Sequence, residues 1–197
     1  MGKSKCEETL IMKLIIGITG ATGAIYGIRI LQALMEKADV ETHLVISKWG
    51  RVTIETETEF TIDDLIAMAD FHYHEDNLAA AISSGSFKCD GMIVAPCSMK
   101  TLAGIANGYT DDLIIRAADV AIKEKRNLIL MVRETPLNAV HLENMLKLCK
   151  IGVTIAPPVP AFYTNPNSLD DLVNQTIGRI LDNFNIEIDT LYRWKGL

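Results

Sequence analysis

Two short stretches carry the residue types that grip an anion. Gly17, Gly20 and Gly23 form G-x-x-G-x-x-G, with Gly27 one turn further on, where an apolar run passes into an amphipathic segment. Read as strand, turn and helix, this places unpaired backbone N–H groups at a helix N-terminus, a favourable setting for phosphate. The second stretch is APCSMKTLAGIANG, residues 95–108. Pro96 ends a strand there, Ser98 is placed to cap the next helix, and the amides of Ser98, Met99, Lys100 and Thr101 make a second nest. A dinucleotide site would need an acidic residue about 20 positions on, at the end of the second strand, to hold a ribose. That strand ends instead in Ser47-Lys48, a hydroxyl followed by a cation. The pair suits a phosphate or a polar ring edge better than a ribose diol. A nicotinamide site is thereby weakened, while a flavin mononucleotide, or simple packing of the glycines, stays open.

Cations come next. Leu172, Thr176 and Arg179 follow i, i+4, i+7, so the stem of Arg179 runs along an apolar stripe or its edge, either snorkelling outward or reaching a buried anion. Arg116 and Lys123 lie seven apart on one helix face, which by pattern alone is a solvated basic surface. His72 and His74 are two apart and could share a strand face, yet no third ligand is in view, so they read as polar loop residues and not as a metal site. Cys97 reads as a buried structural thiol. Neither a G-x-S-x-G nucleophile elbow nor a G-x-x-x-x-G-K-[ST] loop is present.

These residues need a frame. Apolar, β-branched runs at Leu14–Thr19, Thr42–Ile46, Met92–Ala95, Leu128–Val132 and Val153–Ala156 predict strands. Helical patterns fall at Ala24–Glu36, Thr61–Ala69, Leu78–Ser83, Asp112–Lys125, Leu142–Cys149 and Leu169–Phe184, with capping boxes at Thr61/Asp64 and Ser168/Asp171. Strands apolar on both faces, alternating with helices, predict a parallel sheet covered on each side by right-handed crossovers. The expected class is α/β: a three-layer α/β/α, doubly wound Rossmann-like or flavodoxin-like domain. The segment APPVPAFYTNPNS, 156–168, holds four prolines and predicts a stiff loop after a strand end, either a binding wall or a connector.

The chain has 197 residues, enough for one domain with a substantial core, expected over 13–197 after an extension at 1–12 (or with Met12 as an alternative start). That extension has acids and no long apolar stretch, which argues against a secretory signal. A formal charge of −6 disfavours nonspecific binding to nucleic acid or an anionic membrane, and no run approaches the ~20 apolar residues of a span. Four widely spaced cysteines, Cys6, Cys89, Cys97 and Cys149, suit a reducing compartment, so the expected location is the cytoplasm.

GITGATGAIYGIRIL, SK at 47–48, APCSMKTLAGIA, RAADVAIKEKRNLILMVRETPL, HLENMLKL and PPVPAFYTNPNSLDDLVNQTIGRIL follow one another over about residues 13–195. In that order they resemble the UbiX-type flavin prenyltransferases, long described as phenylacrylic or aromatic acid decarboxylases. The resemblance implies a homo-oligomer, commonly a dodecamer, with FMN at subunit interfaces and no metal. It implies transfer of a dimethylallyl group from dimethylallyl phosphate to N5 and C6 of reduced FMN, making prenylated FMN for a separate UbiD-type decarboxylase. By motif, Gly20, Ala21, Thr22, Ser47, Ser98, Met99, Lys100, Thr101 and Arg133 would contact FMN. Relatives more often have serine at Thr22. Arg116, Lys123, Arg133 and Arg179 become candidate phosphate donors, Tyr163 adds a hydroxyl, and Trp194 is a candidate wall for the prenyl group. Glu57, within ETETE, matches the family's proton-accepting glutamate, and Glu134 is placed to relay a proton beside Arg133. Two rival functions fit some of these features: an FMN-dependent decarboxylase acting directly on aromatic acids, and a non-enzymatic FMN carrier.

Overall fold

The strands are apolar on both faces because both faces are covered. A computed structural model describes residues 11–196. In chain order it contains β1 (Met12–Ile18), α1 (Ala24–Met35), β2 (Val40–Ile46), α2 (Lys48–Glu57), α3 (Ile62–Met68) and β3 (Phe71–His74). There follow β4 (Gly91–Cys97), α4 (Met99–Asn107), α5 (Leu113–Lys123), β5 (Asn127–Val132), α6 (Ala139–Lys150), β6 (Thr154–Ile155) and α7 (Leu169–Leu181). Neighbouring strands are parallel throughout, in the order β3-β2-β1-β4-β5-β6. This is the doubly wound arrangement expected; without the short edge strand β3, the other five have the flavodoxin order. Of the 1–12 extension, residues 1–10 lie outside the described residues and Met12 opens β1.

Successive side chains of a strand enter opposite layers. Leu14, Ile16 and Ile18 pack with Ile28 and Leu31 of α1, Leu65 of α3 and Ile177 of α7. Ile15 joins Leu102 of α4, Ile114 of α5 and Leu148 of α6 on the other side. Among the described residues no helix is long and apolar enough to cross a membrane.

Three elements escape the sequence patterns. Helix α2 buries only Gly50 and Ile54, too few for an apolar stripe, and β3 is a four-residue edge strand of aromatics and histidines. Helix α4 is nine residues long, and only its Ser98 cap announces it. Conversely, the helix expected at Leu78–Ser83 is a turn followed by one 3-10 turn at Ala81–Ser83, with Ile82 its single buried residue. Both expected capping boxes form.

Candidate functional site

Where β1 and β4 lie side by side, the chain leaves them toward opposite faces of the sheet, α1 to one layer and α4 to the other. A crevice opens at such a switch point, at the carboxyl ends of the strands. Thr19 ties its two walls together. Its buried hydroxyl donates to the Pro96 carbonyl (2.7 Å) and accepts from the Ser98 N–H (2.8 Å). On either side, the Ser47 N–H donates to the Ile18 carbonyl (3.0 Å) and the Arg133 N–H to the Cys97 carbonyl (3.1 Å). The four strand ends are thus stitched edge to edge. Ser47 caps α2 by accepting from Gly50 N–H, and Ser98 caps α4 by accepting from Thr101 N–H.

Helix α1 is capped differently. Its N-cap residue is Gly23, in the left-handed region (φ 99°), which has no side chain to offer. Glu57 supplies the missing acceptor from the last turn of α2, 34 residues away. Its Oε2 receives the N–H groups of Gly23 (2.8 Å) and Ala24 (3.3 Å). A carboxylate there is favoured by the positive end of the helix dipole. At the other end of the same loop α2 presses on Gly20, where any Cβ would collide with the Cβ of Trp49. The glycine loop is therefore clamped by α2 at both ends.

Glu57 also lines an open cleft of about 640 Å³, which it shares with Thr22, Tyr26, Arg133, Glu134 and the Pro157–Val159 wall. The expected site residues Thr22, Glu57, Arg133 and Glu134, scattered over 112 positions of chain, meet here. The proline loop does serve as a wall. Tyr26 lines the cleft, and burial pushes its hydroxyl pKa up.

Other expected residues stand elsewhere in the chain. The Nζ of Lys100 sits between Asp111 (3.5 Å) and Asp112 (3.7 Å) at the start of α5. Arg116 donates to the Ser83 carbonyl (3.1 Å) and pairs with Asp119 (2.7 Å). Lys123, at the far end of α5, pairs with Glu124. On α7 the buried stripe is Val173, Ile177, Ile180 and Leu181, one position off the Leu172–Thr176–Arg179 line. Arg179 accordingly points outward and pairs with Asp182 (2.9 Å). Tyr163 and Trp194 form a separate cluster, their rings edge to face at 5.8 Å. One subunit thus holds three groups of candidate side chains: one in the cleft, one along α5 and one on α7 and the segments beside it.

Cys97 is fully buried, and burial pushes its thiol pKa far up, so it is a packing residue and no nucleophile. His72 faces Arg51 and His74 faces Asp76. Among the described residues no group of three or more His, Cys, Asp or Glu could hold a metal. Sequence reasoning passed over Thr19 and Tyr26. A threonine closing an otherwise aliphatic strand was the available signal for the first; nothing local marked the second.

A doubly wound α/β subunit with its cleft at the β1/β4 switch point defines a nucleotide- or flavin-binding class, and the family model named Flavoprotein matches residues 3–181. Flavin prenyltransferase UbiX of Escherichia coli (strain K12) is 53% identical over 186 residues, covering 93% of this chain and 98% of that protein. The mitochondrial flavin prenyltransferase PAD1 of Saccharomyces cerevisiae is 59% identical, covering 94% of this chain and 76% of that one. The crystal structure of a dodecameric FMN-dependent UbiX-like decarboxylase from Escherichia coli O157:H7 superposes with a TM-score of 0.93 at 56% identity, covering 94% of this chain and all of that one. The crystal structure of AnUbiX (PadA1) in complex with FMN and dimethylallyl pyrophosphate has the same TM-score at 50% identity, covering 95% of this chain and 99% of that one. The chain belongs to the Flavoprotein family and, within it, to the UbiX-like flavin prenyltransferases.

Proposed function

We propose that the protein is a flavin prenyltransferase that moves the dimethylallyl group of dimethylallyl phosphate onto N5 and C6 of reduced FMN, for use by a UbiD-type decarboxylase. The observation that carries this is the convergence of Thr22, Glu57, Arg133 and Glu134 on one cleft; the serine-capped helices α2 and α4 start from the carboxyl ends of the same sheet. The donor set fits FMN. Helix starts after Ser47 and Ser98 present first-turn N–H groups to an anion, Arg133 adds a cation, and a cleft of this size is in the range that small ligands occupy. When bound, the reduced flavin supplies the nucleophilic ring atoms and a π face for the allylic cation.

The chain's own residues do the rest. The Oε2 of Glu57 is anchored on two N–H groups, so its Oε1 is the oxygen left to take a proton from the reacting ring. Arg133 and Glu134 stand side by side at the same cleft, cation for the phosphate and carboxylate for a proton passing to it. Tyr163 and Arg179 supply donors to the departing phosphate, with Arg116 and Lys123 adding charge and Trp194 walling the prenyl group. Because these lie apart from the cleft within one chain, the site is completed by a neighbouring subunit of a homo-oligomer, as the dodecameric relative suggests. The widely spaced cysteines support a cytoplasmic location for the reaction.

The test is anaerobic incubation with reduced FMN and dimethylallyl phosphate, then mass spectrometry of the released flavin. One added isoprenyl unit is expected. Unchanged FMN would refute the reading, and carbon dioxide released from an aromatic acid by this protein alone would favour direct decarboxylation.

A further inference from the structure

Gln175 is a polar side chain of α7 that is 2% exposed, and the chemistry assigned so far does not use it. All of its hydrogen-bonding atoms are engaged. Oε1 accepts the Tyr192 N–H (2.9 Å), and Nε2 donates to the Tyr192 carbonyl (2.9 Å) and to the Tyr163 hydroxyl oxygen (3.3 Å). The backbone of Tyr192 fixes which way the amide faces. Turned over, it would set N–H against N–H and carbonyl against carbonyl in a buried place. Gln175 therefore has only a donor to show Tyr163.

That sets the role of the tyrosine. Its oxygen accepts from Gln175, so its own O–H points away from α7, on the half-exposed side of the ring. A hydroxyl that is accepting one hydrogen bond donates a second more strongly. The same amide clamps the backbone that carries Tyr192 and, two residues on, Trp194. The rings of Tyr192 and Trp194 lie 6.2 Å and 5.8 Å from Tyr163.

We infer that Gln175 is a positioning residue: it commits the Tyr163 hydroxyl to donate outward, to a phosphate oxygen of the allylic donor. This rests on the reading that Tyr163 contacts that phosphate. The experiment uses the full-length oligomer loaded with oxidised FMN, which binds without turning over. Calorimetric titrations with dimethylallyl phosphate and with inorganic phosphate are made on Gln175→Glu, Gln175→Met, Tyr163→Phe and the two double variants. Gln175→Glu keeps the acceptor for Tyr192 N–H but turns the tyrosine O–H inward. Gln175→Met keeps the volume without a buried charge, and serves if the carboxylate prevents folding.

Each single variant is expected to weaken both ligands about three- to tenfold, with FMN affinity unchanged. In turnover the loss appears in KM for the allylic donor more than in kcat. Each double variant should bind no worse than Tyr163→Phe alone, because the two residues act as one. Additive losses, or wild-type binding by a folded Gln175 variant, would overturn the inference while leaving Tyr163 as a phosphate contact. Wild-type binding by Tyr163→Phe would overturn the assignment of Tyr163 itself, and the role of Gln175 with it.

Discussion

In the proposed reaction Glu57 holds two jobs in one carboxylate. One oxygen caps α1 through Gly23 and Ala24, and the other is free toward the cleft. In Glu57→Gln the amide oxygen still caps the helix while the base is gone. The variant should fold and bind FMN normally, yet stop after the first carbon–nitrogen bond, with product formation down at least ~100-fold by mass spectrometry of the flavin. His43 is a second residue whose protonation matters, for stability. Its ring is buried, stacks on Phe71, and hydrogen-bonds the Tyr73 hydroxyl (3.0 Å) and Glu41 (2.9 Å), which in turn pairs with Lys13. Burial lowers its pKa, and the hydrogen bond to Glu41 offsets part of that. A folded-state pKa below the unfolded value of about 6.5 stabilises the fold above that pH, and the contribution is lost as pH falls through the folded value. The thermal midpoint should therefore drop between about pH 7.5 and 5.5, and drop less in His43→Gln. A residual slope is expected from His72, also lowered by burial.

At the scale of elements, the site depends on how strand ends are joined. Thr19 carries the β1–β4 pairing past the end of the ladder: its N–H (3.3 Å) and its hydroxyl (2.7 Å) both donate to the Pro96 carbonyl, and the hydroxyl accepts from the Ser98 N–H (2.8 Å). Thr19→Val keeps the volume, strands the Ser98 N–H and leaves the Pro96 carbonyl only the longer bond from the residue-19 N–H (3.3 Å). We expect a loss of about 1–3 kcal/mol in denaturant unfolding and weaker FMN binding, because the two turns would no longer hold register. Helix α2 shows why part of the site was illegible in sequence. With only Ile54 and Gly50 buried, its helical period is nearly blank, yet it carries Ser47 at one end and Glu57 at the other. The strands announced themselves because burial on both faces demands continuous apolar runs. The edge strand β3 and the weakly buried helix α2 face no such demand, and α4 is short and buries threonine, glycine and alanine beside its Leu102 and Ile105.

At the scale of the whole molecule, the candidates fall into groups that one chain does not bring together: the cleft, α5 with Arg116 and Lys123, and α7 with Tyr163 and Trp194 beside it. Phe162, Tyr163, Leu169 and Trp194 leave large apolar surfaces exposed around the α7 group, Leu169 as much as 81%. Exposed apolar area of this kind commonly marks a contact with another subunit. Native mass spectrometry should show a homo-oligomer. If each site draws on two subunits, oligomers reassembled from inactive Glu57→Gln and inactive Arg179→Ala chains should regain part of the prenylating activity. Mixtures that stay inactive after verified subunit exchange would place both residues in one subunit's own site.

The sequence by itself determined five of the six strands, the helices with a strong apolar stripe, two of the capping boxes and the two glycine- and serine-bearing turns, because each depends on neighbours a few residues away. Family resemblance, carried by those same local blocks, pointed to the reaction. Only the tertiary structure decided that Glu57 leaves an otherwise solvated acidic run to cap a helix 34 positions upstream. The same is true of the Thr19 bridge between two strand ends, and of Arg179 turning outward where its periodicity allowed it to turn in. Those outcomes follow from which orphan donors and acceptors are brought within reach of one another, and chain spacing carries no trace of that.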